Sequence, residues 1–151
     1  SMGLLDELAP VVASIDSVGI DPYFDEPTES ALDLAPLAAK RFASFMERRF
    51  PAKGRMLVFQ GFPPSSIKAH PMSPQAVELF MKINEALFAE ALAHYSSMLV
   101  WGAGQSKLVR EQACLLGDFS CDPAWLDGSH LPSEIKMQFA DFERRWRAAG
   151  K

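Results

Sequence analysis

The chain has 151 residues, of which 48% are apolar and 23% charged, proportions that suit one folded domain and exclude a wholly disordered chain. The formal net charge of −4 excludes a global cationic footprint for nucleic acid. No apolar run approaches the roughly 18–20 residues that cross a bilayer as a helix.

One globular domain over residues 1–151 is expected, with Ser1 before Met2 read as a cloning remnant. Two cysteines, Cys114 and Cys121, are too few for a disulfide scaffold and read as reduced thiols of a cytoplasmic protein. The N-terminus carries no cationic stretch followed by an apolar run, so no secretory leader is expected. Alanine occurs 20 times and asparagine once, a bias of GC-rich bacterial genomes.

Charge is unevenly spread. Residues 1–39 hold eight acids (Asp6, Glu7, Asp16, Asp21, Asp25, Glu26, Glu29 and Asp33) and no Lys or Arg. The remainder holds 15 basic and 11 acidic residues, a net of +4. Either the basic remainder neutralises the acidic segment within the domain, or the segment is an acidic face for a basic partner.

In chain order, residues 3–18 predict a first helix, with Leu4, Leu5, Leu8, Val11, Val12 and Ile15 at helical spacing and Gly19 as its stop. Residues 21–29 read as an acidic loop with two aromatics, Tyr23 and Phe24. Ser30 then caps a second helix with Asp33 three residues on. Its predicted apolar face is Leu34, Leu37, Ala38, Phe42, Phe45 and Met46, and Arg48 and Arg49 suit its C-terminal dipole. Met56-Leu57-Val58-Phe59 predicts a strand. Residues 62–74 form a Pro-rich loop.

Ser73-Pro74 is a strong helix start, and the helix should run to about Tyr95. Val77, Phe80, Met81, Asn84, Leu87, Phe88, Ala91, Leu92 and Tyr95 line one side, with Glu78 and Lys82 as an i, i+4 pair. Ser97 to Trp101 predicts a second strand. Ser106 to Leu116 predicts a short helix. Ser133 caps a last helix, in which Ile135, Phe139, Phe142 and Trp146 recur. The expected fold is therefore α-dominant α+β, with about five helices and a small two-stranded sheet; an all-α domain is the alternative. Strand, helix, strand is the order of a parallel βαβ unit. A helix of ~22 residues, ~33 Å long, would nonetheless overshoot a ~17 Å strand.

Five places offer chemistry. The turn Gly102-Ala103-Gly104-Gln105-Ser106-Lys107 follows a strand and opens a helix, so amides and a lysine could hold an anion. It lacks the Walker A and dinucleotide spacings, and a tight turn with a cap is the favoured reading. Cys121, Asp122, Asp127 and His130 are metal-competent, but their spacing matches no zinc or calcium loop. Ser65, Ser66, His70 and His94 lack a Gly-x-Ser-x-Gly elbow, and His94 reads as a helix-end residue bonded to a backbone carbonyl. Tyr23, Phe24, Phe62 and Trp125 fall in loops, where exposed aromatics suit protein contacts. Lys136, Arg144, Arg145 and Arg147 crowd the last helix and read as helix-end electrostatics.

The resulting expectation is a small protein that works by binding another protein, as an adaptor, antagonist or immunity-type inhibitor. Tyr23, Phe24, Asp25 and Glu26 form the contact, and the partner has a basic surface. No catalytic residue, cofactor, metal, nucleic acid or membrane is expected; pairing of sheet edges between copies would give a homo-oligomer. The alternative is a small-molecule- or anion-binding protein or enzyme, with a phosphate- or carboxylate-bearing ligand held by Gly102, Gly104, Gln105, Ser106 and Lys107.

Overall fold

The computed structural model describes residue 7 and residues 9–24, 26–61, 72–101 and 132–151. Their elements, in order, are α1 (Ala9–Ala13), β1 (Ser17–Ile20), α2 (Glu29–Arg49), β2 (Gly54–Gln60), α3 (Pro74–His94), β3 (Ser97–Trp101) and α4 (Ser133–Ala148).

The three strands form one parallel sheet in the order β1-β2-β3. Ser17 pairs with Gly54 and Ile20 with Leu57; Met56 pairs with Ser97 and Gln60 with Trp101. The helices α2 and α3 are the two crossovers and pack against each other. Same-handed crossovers stepping in one direction leave both helices on one face of a sheet. That face carries Val18 and Ile20, Leu57 and Phe59, and Met98 and Val100, all in the core cluster or packed on it.

The sheet therefore has three strands where two were expected, and the all-α alternative falls. Four helices lie among the described residues; the one expected from Ser106 to Leu116 lies outside them. The added strand is β1, which takes residues assigned by periodicity to the end of the first helix. Within the described part of that segment, Glu7 and Ala9–Ala13 are helical, and the helix ends before residues 17–18. Val11 and Ile15 are exposed, whereas Val18 and Ile20 alternate into the core, so strand pairing wins over helical spacing here. Gly19 does not stop a helix: it lies within β1, where a Cβ would come 3.1 Å from Met56 Cε.

The mismatch between long helices and short strands is real, and packing among the helices absorbs it. α3 has 21 residues and β3 has five. α4 runs parallel beside α3, with Phe142 stacked on Phe88 at 4.2 Å and Arg145 at Glu85. Both aromatics and Phe59 of the sheet meet there, since Phe59 and Phe142 are 5.9 Å apart.

The start of α3 is as expected: Ser73 Oγ accepts from Ala76 N at 3.2 Å, and Pro74 occupies the first turn. α2 starts one residue before Ser30, and its cap is Thr28, whose hydroxyl accepts from Ala31 N at 3.1 Å. Thr28 is extended, the conformation a cap needs; Ser30 and Asp33 are already helical. Ser133 is likewise inside α4, whose cap position is Pro132 with no side-chain bond.

The largest correction concerns the orientation of α2. Its buried residues are Ala31, Ala35, Ala39, Phe42, Ala43 and Met46. Leu34 and Leu37, expected inside, are 59% and 39% exposed. Alanines let α2 approach α3 closely enough for Tyr95 to reach the Ala39 carbonyl, and leucines there would hold the helices apart.

Candidate functional site

One concavity among the described residues lies where the chain leaves the C-terminal end of β1 and enters α2. It is a groove of about 710 Å³. Ala31, Leu34, Ala35 and Ala38 of α2 form one side at i, i+3, i+4, i+7 spacing. Ile20 through Phe24, with Glu26 and Thr28, form the other.

The loop side is built by a tight turn. Tyr23 N–H donates to the Asp21 carbonyl at 2.8 Å across Pro22, a three-residue turn whose centre suits the fixed φ of proline. Pro22 is buried, and Phe24 is buried against Phe80, with ring centroids 5.8 Å apart. Two inward anchors thus hold the turn, while Tyr23 between them points out and is 62% exposed. The aromatics singled out from sequence therefore divide. Tyr23 offers contact surface, and Phe24 is chiefly core with an edge in the groove wall.

The groove is acidic. Asp21 and Glu26 line it, and no described Lys or Arg does. Among the described residues, Asp21, Glu26 and Asp33 have no ion pair. Partial burial raises the Asp21 carboxyl above its ordinary range. The basic remainder of the domain therefore leaves these acids unneutralised, although such internal neutralisation was one of the two expectations. Asp25 lies outside the described residues.

A second groove of about 640 Å³ runs between α3 and α4, lined by Met81, Met137, Gln138, Glu78, Lys82, Glu85, Glu134 and Asp141. Its electrostatics differ. Glu78 pairs with Lys82 at 2.7 Å, Glu85 with Arg145 at 3.1 Å, and Asp141 with Arg145 at 3.2 Å. Most of its acids are thus internally matched.

The arginines of α4 are similarly engaged. Arg144 pairs with Asp141, Arg147 with Glu143 at 2.6 Å, and Arg145 also lies 4.6 Å over the Phe88 ring. His94 is not satisfied by a carbonyl acceptor as expected. Its ring stands 3.8 Å from Glu47 and 3.7 Å from Glu90, and its own carbonyl accepts from Arg55 Nε at 2.6 Å. Helix-end placement brings the ring between carboxylates on two helices.

At the C-terminal end of the central strand, Gln60 is 3% exposed, and neither its Nε2 nor its Oε1 has a hydrogen-bond partner. Its burial could not be read from the sequence. The turn Gly102, Gly104, Gln105, Ser106 and Lys107 lies outside the described residues, as do Ser65, Ser66, His70, Phe62, Trp125 and the set Cys121, Asp122, Asp127 and His130. Among the described residues, no three His, Cys, Asp or Glu side chains are placed so as to hold a metal ion.

Asp21, Leu34 and the alanine stripe were missed as site residues. Only the turn at Pro22 signals Asp21 in the sequence, and Leu34 was assigned to the core. Comparison with protein-family models, curated proteins and solved structures returns no significant match for this chain.

Proposed function

We propose that this chain acts by binding another protein, and that the groove between residues 21–28 and the first half of α2 receives a basic segment of that partner. One observation carries this: Asp21 and Glu26 rim an apolar groove with no cation of their own, next to an exposed Tyr23 held on a proline turn. Unpaired carboxylates at a rim steer a cationic partner and raise its association rate. An exposed tyrosine on a braced turn supplies contact area at little entropic cost. The α3–α4 groove is less suited, because a partner would have to displace existing ion pairs.

The test is a peptide-display library panned against the full chain. Enriched peptides should combine Lys or Arg with an apolar residue, and Tyr23→Ala or Glu26→Lys should abolish the enrichment. Enrichment that ignores both substitutions, or none at all, contradicts the proposal.

A second reading rests on Gln60. In parallel sheets, ligands gather at the carboxyl ends of the strands, and there this chain has a buried amide with two unused hydrogen-bonding atoms. Residues 102–107, which follow β3 directly in the sequence, are the segment from which such a phosphate- or carboxylate-bearing ligand would be held under this reading. A thermal-shift screen with nucleotides and phosphorylated metabolites tests this. A stabilising hit lost in Lys107→Ala supports it, and a blank screen counts against it.

A further inference from the structure

We infer that the outward face of α2 pairs with the same face of a second copy of this chain, the two helices lying antiparallel. The face centres on Leu37 and points away from the buried Ala35, Ala39 and Met46. Leu34 and Leu37, 59% and 39% exposed, lie on it near the middle of the helix. Asp33 lies on it to the N-terminal side, and Lys40 and Arg41 to the C-terminal side, all exposed. Among the described residues, neither Asp33 nor Lys40 has an ion pair.

Charge placement selects the orientation. At 3.6 residues per turn, Asp33, Leu37 and Lys40 follow one another along one side of the helix. A two-fold axis beside Leu37 sets Asp33 of each copy against Lys40 of the other and Leu37 against Leu37. The contact is isologous, so the ion pair forms twice. A parallel pairing would instead oppose Asp33 to Asp33 and Lys40 to Lys40. Ser30, Leu34, Leu37, Arg41, Ser44 and Arg48 follow in alternating steps of four and three, the spacing of a helix–helix seam. Its serines are small enough for close approach.

One helix pair covers less than the roughly 1,600 Å² of a standard interface, so the dimer is reversible and concentration-dependent. It shares Ser30 and Leu34 with the edge of the proposed peptide groove, whereas Asp33 and Lys40, the residues its test changes, do not line that groove.

The experiment is light scattering on the full chain across a concentration series from low micromolar to millimolar, with circular dichroism confirming that every variant is folded. The wild-type mass should rise toward twice that of one chain. Asp33→Lys alone and Lys40→Asp alone should each weaken association about tenfold or more, since both create two like-charge contacts. An equimolar mixture of the two variants should recover the dimer, as should both changes in one chain. A wild-type mass that never rises, association insensitive to either reversal, or a mixture that stays monomeric would overturn the inference.

Discussion

The Tyr95 hydroxyl donates a 2.6 Å hydrogen bond to the backbone carbonyl of Ala39. This bond ties the end of α3 to the middle of α2, and the ring stacks on Phe42 at 6.4 Å. The relationship fixes which face of α2 is inside. With Ala39 facing Tyr95, Leu34 and Leu37 must turn away, and the groove and the outward leucine face both follow.

Tyr95→Phe keeps the packing and removes only the hydroxyl. It should cost about 1–2 kcal/mol, the usual range for a buried hydrogen bond, read from urea unfolding. Burial first, then the Glu90 charge, raises the Tyr95 phenol above its ordinary value, with Arg55 opposing. The folded state thus holds this proton more tightly than the unfolded state. Its contribution to stability is complete below the ordinary tyrosine pKa of about 10 and is lost as pH rises through the folded value. The stability gap between wild type and Tyr95→Phe should therefore narrow in alkaline solution. A gap independent of pH would contradict the linkage.

Asn84 and Gln138 form a buried polar contact between α3 and α4. Asn84 Nδ2 donates to Gln138 Oε1 at 3.3 Å, and Gln138 Nε2 donates to the Met81 carbonyl at 2.8 Å. Gln138→Ala leaves both amide atoms of Asn84 unsatisfied and should cost about 2–3 kcal/mol. Replacing both residues by leucine should cost less than that single change. A double-mutant cycle in denaturant checks the coupling.

Gly54 opens β2 where a Cβ would come 2.4 Å from Ser17 Oγ. Gly54→Ala should destabilise by about 1–3 kcal/mol through overpacking. Adding Ser17→Gly should recover most of the loss. Thermal melts of the two variants decide it; an unchanged melting temperature for Gly54→Ala would remove the steric account.

Legibility from sequence followed the strength of the local signal. Ser73-Pro74 and a long apolar repeat made α3 plain, and Ser97–Trp101 was a compact run of strand formers. β1 was not legible, because four residues containing a serine and a glycine become a strand only through pairing with β2. The orientation of α2 was misread for a different reason. Its leucines and alanines make two competing stripes, and hydrophobicity alone favours the leucines. Close packing against α3 favours the alanines, and tertiary contact decided. At the candidate site, Tyr23 and Glu26 were visible as a loop aromatic and a loop acid, whereas only folding shows that Phe24 packs inward and that Leu34 joins them.

Gln60 gives an independent check of the second reading. With no ligand bound, Gln60→Met removes two unsatisfied buried polar atoms at similar volume, and should raise stability by about 1–3 kcal/mol. A loss of stability would mean that the amide is satisfied in solution.

The groove itself is tested most directly by association kinetics with a cationic peptide enriched on the wild-type chain. Asp21→Lys and Glu26→Lys together should slow association about tenfold at low salt and flatten its dependence on ionic strength, because the steering charges are gone. Glu26 is exposed and Asp21 only partly buried, so folding stability should change by less than about 1 kcal/mol. Association with an unchanged rate and an unchanged salt dependence would contradict the assignment of this groove.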